Sequence, residues 1–124
     1  MTDFVKGIIS KIQQRDYTVG IVGLGYVGLP LAETFLEAGF RVLGFDRDPK
    51  GVAQATQQLG TAMYKHGFIA TDNPERLPEA DCVLICVPTP LGANKQPDLT
   101  AVMMATRTVA DLCAGSQPPC VLPS

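Results

Sequence analysis

The sequence predicts an α/β fold, a doubly wound parallel sheet of about five strands behind an N-terminal amphipathic helix. Short β-type runs alternate with stretches of helical spacing from Tyr17 to Leu112, the pattern of strands joined by crossover helices. The run Cys82-Val83-Leu84-Ile85-Cys86-Val87 is apolar throughout, as a central parallel strand covered on both faces must be. A glycine cluster, Gly23 to Gly28, stands where the first strand should turn into the next helix. Each crossover is expected to be right-handed.

At 124 residues the chain has material for one domain. Hydrophobic residues make up 46% and charged residues 18%, a globular composition rather than a disordered one. The formal net charge of −2 offers no electrostatic footprint for nucleic acid or an anionic membrane. Any anion must therefore be held by a local site. No apolar run approaches the ~20 residues that span a bilayer. The opening Met1-Thr2-Asp3-Phe4 lacks the basic and apolar regions of a signal peptide, so a cytoplasmic protein is expected. The cysteines Cys82, Cys86, Cys113 and Cys120 lack C-x-x-C spacing, and His66 is the single histidine, so no metal site is expected. On one strand Cys82 and Cys86 would share a face about 13 Å apart, too far for a disulfide. Buried reduced thiols are the expectation.

Phe4, Val5, Ile8, Ile9 and Ile12 recur at helical spacing, which predicts an amphipathic helix over 3–14. Tyr17 to Val22 is a β-type run ending at glycines. Residues 26–38 read as a helix with Val27, Leu31, Phe35 and Leu36 on one side. Gly39 stands where a left-handed cap is expected. Arg41 to Asp46 is the second strand. Asp48 and Pro49 suit the N-cap and first position of a helix running to about Leu59. Residues 67–71 make a weak third strand, and Cys82 to Val87 a strong fourth, ended by Pro88 and Pro90. A last helix, capped by Asp98 or Thr100, runs to about Leu112, and only Cys120-Val121-Leu122 looks strand-like after it.

Gly23-Leu24-Gly25-Tyr26-Val27-Gly28 matches G-x-G-x-x-G. Alone the match is weak, but a strand precedes it, a helix follows it, and Asp46 ends the next strand about twenty residues on. Together these are the marks of a Rossmann-type dinucleotide site. Gly23 allows the tight turn, Gly25 lets a pyrophosphate approach the backbone, and Gly28 lets the helix pack close to the strand. Unpaired N–H groups and the helix dipole then face the anion. Asp46 would accept hydrogen bonds from ribose hydroxyls and repel a 2′-phosphate, which favours NAD over NADP. The neighbouring Arg47 pulls slightly the other way. A ligand-free glycine turn and a strand-end solvated acid are the plain alternatives.

The residues around this motif resemble one family closely. Gly23-Leu24-Gly25-Tyr26-Val27-Gly28-Leu29-Pro30-Leu31-Ala32, Gly44-Phe45-Asp46-Arg47-Asp48-Pro49, and Ala80-Asp81 through Pro88-Thr89-Pro90-Leu91, followed by Pro97-Asp98-Leu99, are similar to three motifs of the UDP-glucose/GDP-mannose dehydrogenase family. Leu29-Pro30 is most similar to the branch acting on UDP-N-acetylglucosamine or UDP-N-acetylmannosamine. The resemblance covers about residues 14–112. It implies oxidation of a sugar C6 alcohol to a carboxylate in two steps, using two NAD. It also implies that Gly23, Gly25, Tyr26, Val27 and Gly28 cradle the pyrophosphate, that Asp46 binds ribose with Arg47 nearby, and that Pro88, Thr89 and Pro90 line the nicotinamide side. A strand terminator is the plain alternative for Pro88-Thr89-Pro90.

The departures bear on activity. The family's catalytic cysteine and lysine lie in later parts, and neither motif occurs in these 124 residues. No catalytic role falls to any cysteine or lysine present. Gly60 to His66 is shorter than the family's usual segment, and the tail from Cys113 fits poorly. The expected organisation is an N-terminal helix at 1–15 and a truncated NAD-binding Rossmann domain at 16–124, without the central helix and sugar-binding domain. The UDP-sugar is then a partner of the full-length parent, a homo-oligomer by resemblance, with no nucleic-acid or membrane partner. The alternatives are a non-catalytic nucleotide-binding module or gene remnant, and another Rossmann enzyme such as a hydroxyacid dehydrogenase or methyltransferase.

Overall fold

Parallel pairing organises the chain around β1. A computed structural model describes residues 3–60, 67–113 and 120–123. In order these form α1 (Asp3–Gln13), β1 (Thr18–Val22), α2 (Gly28–Glu37), β2 (Arg41–Phe45), α3 (Pro49–Leu59), β3 (Phe68–Thr71), a 3-10 helix (Pro74–Glu79), β4 (Cys82–Ile85), α4 (Thr100–Cys113) and β5 (Cys120–Pro123). The sheet order is β3-β2-β1-β4-β5, and every pairing is parallel. The strands step outward from β1 in both directions, so the order reverses between β1 and β4. That is the doubly wound arrangement of a Rossmann fold, whose ligands sit at such a switch point. Four strands, β1 to β4, carry the described packing. Through its backbone β5 extends the β4 edge, Cys120 standing opposite Cys82.

Side chains of successive strand residues point to opposite faces, so the sheet feeds two cores. Val19, Ile21, Val42 and Cys86 pack with Ala32 and Leu36 of α2 and Ala55 and Leu59 of α3. On the other face Val22, Val83 and Ile85 pack with Leu77 of the 3-10 helix and Val109 of α4. Side chains buried as completely as Ile21, Ile85 and Val109 each contribute about 1.5–3 kcal/mol. Cys82 and Cys86 do fall on one face. Cys86 is buried as expected; Cys82 is only half-buried, because its strand starts at the sheet's rim.

Two helices end in the same way, and one side chain joins the ends. At α1 the Asp16 N–H donates to the Lys11 carbonyl and the Arg15 N–H to that of Ile12. At α2 the Phe40 N–H donates to Phe35 and the Gly39 N–H to Leu36. Both are Schellman motifs, whose turn residue is left-handed. Gly39 fills that position in α2 with φ 95°, as its sequence position predicted, and Arg15 fills it in α1 with φ 61°. Phe35 and Phe40 meet edge to face with centroids 6.2 Å apart. The Arg15 guanidinium donates to the Ala38 carbonyl at 2.9 Å and the Ile12 carbonyl at 3.2 Å, and lies 5.1 Å from the Phe40 ring centroid. A cation at two helix C-termini is favourable for both dipoles. Arg15→Ala should therefore lower stability by about 1 kcal/mol, read as a lower urea midpoint. An unchanged midpoint would mean that solvent serves those carbonyls equally well.

Asp48 caps α3 through the Lys50 N–H at 3.0 Å, with Pro49 in the first turn, as the sequence indicated. The cap of α4 is subtler. The Leu99 carbonyl accepts from Met103, while Asp98, one residue earlier, accepts from the Thr100 N–H at 3.0 Å and hydroxyl at 2.6 Å. The 3-10 helix was not foreseen: Pro-Glu-Arg-Leu-Pro-Glu is too short to be periodic, and only Leu77 is buried. The shortened segment after Gly60 and most of the tail after Cys113 lie outside the described residues.

Candidate functional site

The chain leaves β1 through a turn in which each glycine meets a different constraint. Gly23 has φ +101°, and a Cβ there would lie 2.6 Å from the Cys86 carbonyl oxygen. Its N–H donates to the Phe45 carbonyl at 2.8 Å. Gly28 is buried at the start of α2, and a Cβ there would collide with the Gly23 carbonyl. So Gly23 and Gly28 are required by packing. Gly25 is different: a Cβ there would meet nothing within 4 Å. Tyr26 and Val27 are exposed beside it, Tyr26 completely. No side chain caps the N-terminus of α2 at Val27. Of the first N–H groups, that of Leu29 donates to the Gly25 carbonyl at 3.1 Å and Pro30 has none, and the positive end of the helix dipole lies behind the exposed turn.

Asp46 stands just past β2, half-buried. Its Oδ2 accepts from the Leu24 N–H at 3.0 Å and its Oδ1 from the Asp48 N–H at 2.9 Å. An ionised carboxylate has about four acceptor positions, so these two bonds fix its orientation and leave capacity for a ligand. One bond comes from the glycine turn itself, which places the carboxylate beside the turn.

A cleft of about 510 Å³ opens at the carboxyl ends of β1, β2 and β4, within the usual range for small-molecule sites of roughly 300–1,000 Å³. Gly23, Asp46, Arg47, Pro88 and Pro90 line it. Gly25, Tyr26 and Val27 stand on the turn at its edge, Gly28 is buried beneath, and Thr89 is exposed without joining the lining. Beyond Pro90 the chain makes a small hairpin, with Leu91 bridged to Pro97 and the Asp98 N–H donating to the Pro90 carbonyl at 2.7 Å.

Sequence reasoning missed one wall. Ala101, Met104, Ala105 and Thr108 of α4 face the cleft. Their three- and four-residue spacing is one stripe of a helix, so the signal was present, but it reads equally as core packing. Asp98 also lines the cleft. The Thr100 hydroxyl, and then the Thr100 N–H, hold its carboxyl below the usual aspartate range. The group is lowered, so its support for the start of α4 is present above the ordinary pKa and fades as pH falls through the lowered one.

Among the described residues no helix is long and apolar enough to cross a membrane. Residues 17–117 match the UDP-glucose/GDP-mannose dehydrogenase family, NAD binding domain. Protein CapL of Staphylococcus aureus is 38% identical over 98 residues, 73% of this chain and 23% of its own. UDP-N-acetyl-D-glucosamine 6-dehydrogenase of Salmonella typhi is 36% identical over 102 residues, 73% of this chain and 23% of its own. The structure of a ternary complex of GDP-mannose dehydrogenase from Pseudomonas aeruginosa aligns with a TM-score of 0.72 at 22% identity, over 85% of this chain and 27% of that one. At that identity the likeness speaks for the fold alone. The chain spans about a quarter of the length of the curated relatives it matches.

Proposed function

This chain belongs to the UDP-glucose/GDP-mannose dehydrogenase family, whose NAD-binding domain it carries, and from that premise we propose that its cleft serves a nucleotide-sugar 6-dehydrogenase acting on a UDP-N-acetylhexosamine. The observation that carries the reading is Gly25. It is the one glycine of the turn whose missing side chain serves no contact within the protein, and it lies at an uncapped helix N-terminus. A pyrophosphate there explains it.

In this reading the turn of Gly23, Gly25, Tyr26, Val27 and Gly28 cradles the pyrophosphate: Gly23, whose N–H is committed to Phe45, and the buried Gly28 shape the turn, and the exposed backbone of Gly25, Tyr26 and Val27 faces the anion. Asp46 accepts from the adenosine ribose hydroxyls, with Arg47 at the cleft wall beside it. Pro88, Thr89 and Pro90 border the nicotinamide. Bound NAD supplies the hydride acceptor for the oxidation of the sugar C6 alcohol to a carboxylate. This chain's residues bind and orient the cofactor. No cysteine or lysine lines the cleft among the described residues. The UDP-N-acetylhexosamine is favoured by Leu29-Pro30 and by relatives such as the Salmonella typhi enzyme. The whole enzyme is read as a homo-oligomer on the family resemblance alone.

Calorimetric titration with NADH tests the site. Saturable binding is expected. Gly25→Ala should weaken it at least about tenfold by blocking the pyrophosphate's approach, with an unchanged melting temperature. Equal affinity in the variant, or no NADH binding by the unaltered chain, would remove the reading.

A further inference from the structure

Gly51 lies in the first turn of α3, where a glycine has no conformational reason to be. Its φ is not positive, and its N–H donates to the Asp48 carbonyl at 3.0 Å, so its backbone is helical. Glycine within a helix costs stability relative to alanine. The structure points to a compensating use. A Cβ at Gly51 would lie 2.9 Å from Asp46 Oδ2 and 3.0 Å from its Cγ. Oδ2 is the oxygen that accepts from the Leu24 N–H in the glycine turn. Gly44 clears the other half of this clasp: a Cβ there would fall 2.8 Å from Leu24 Cδ2, so Leu24 fills the space that Gly44 vacates on β2.

We infer that Gly51 is a positioning residue for cofactor binding, its absent side chain allowing the Asp46 carboxylate to turn toward the glycine loop. The inference rests on Asp46 being the ribose-binding carboxylate. A methyl group at position 51 pushes on a short side chain whose other oxygen is already tied to Asp48. The carboxylate can yield only by lengthening its bond to Leu24 and leaving the ribose position. Gly51 touches no ligand itself; it acts through Asp46.

The test is a double-mutant cycle read by NADH calorimetry. Gly51→Ala, and Gly51→Ser as a second variant, should weaken NADH binding roughly five- to tenfold, the scale of one disturbed hydrogen bond to a charged group. NADPH binding should weaken less, since it gains nothing from a well-placed Asp46. In an Asp46→Ala background the same substitution should change NADH affinity by less than about twofold. The melting temperature without cofactor should change by no more than a few degrees, the helix preference of alanine offsetting the lengthened Leu24 bond. Unchanged NADH affinity, or an equal loss in the Asp46→Ala background, would each overturn the inference. If the unaltered chain binds no NADH, the cofactor reading of the site fails first and this inference fails with it.

Discussion

Gly28→Ala should cost about 3 kcal/mol or more of folding stability, beyond ordinary overpacking because no side chain can move aside. Elsewhere in a helix the same change is mildly stabilising. Here the added Cβ collides with the Gly23 carbonyl and also lies 3.2 Å from Ile21 Cγ2 at the centre of the sheet. The colliding group cannot retreat. Gly23 is pinned on one side by the Cys86 carbonyl, on the other by its own N–H bond to Phe45, and adopts φ +101°. Relief requires α2 to lift from β1, which opens the core around Ala32 and Leu36. Thermal unfolding followed by circular dichroism should show a melting temperature lower by roughly 10 °C or more. A fall of only a degree or two would mean that the turn is looser than its contacts imply. The contrast with Gly25→Ala is informative, since that change should affect binding and leave stability alone. The two glycines stand three residues apart in one motif, yet a Cβ at Gly28 would collide with the fold while one at Gly25 would meet nothing within 4 Å, which leaves the ligand as the role proposed for Gly25.

That contrast marks how far the sequence could be read. The motif, the strand before it, the Asp48-Pro49 helix start and the Gly39 stop are local: each depends on a few neighbouring residues whose conformational preferences suffice. They lie where the spacing placed them. What was not legible depends on residues distant in the chain. Arg15 reads as one more charged residue after a helix, and only the folded chain brings it to Ala38. Gly44 and Gly51 look like incidental glycines until Leu24 and Asp46 are seen to occupy the space beside them. The α4 wall of the cleft carries a readable stripe, but no sequence pattern distinguishes a stripe facing a cavity from one facing a core. Of the ten residues expected at the site, the five that line the cleft come from three separate strand ends. Their convergence follows from the sheet order, which the alternation of elements implied without fixing.

Asp46→Ala should reverse or nearly abolish the preference for NADH over NADPH. Two effects add. Removing the carboxylate takes away a charge-assisted hydrogen bond to the ribose, worth about 1.5–3 kcal/mol, so NADH affinity should fall roughly thirtyfold. It also removes the negative charge facing a 2′-phosphate, while Arg47 remains exposed on the same cleft wall as a natural partner for that phosphate. NADPH affinity should rise, and the ratio of the two dissociation constants should shift by about two orders of magnitude. Because Arg47 is exposed, the NADPH gained should weaken as salt increases. Stability should fall by about 1–2 kcal/mol as well, since the Leu24 and Asp48 N–H groups lose their acceptor. That loss is separable: saturating cofactor titrations of the folded variant report affinity, and urea unfolding without cofactor reports the lost acceptor. If the variant keeps the original discrimination, Asp46 serves only to hold the turn to the second strand, and the choice between cofactors is made elsewhere in the cleft.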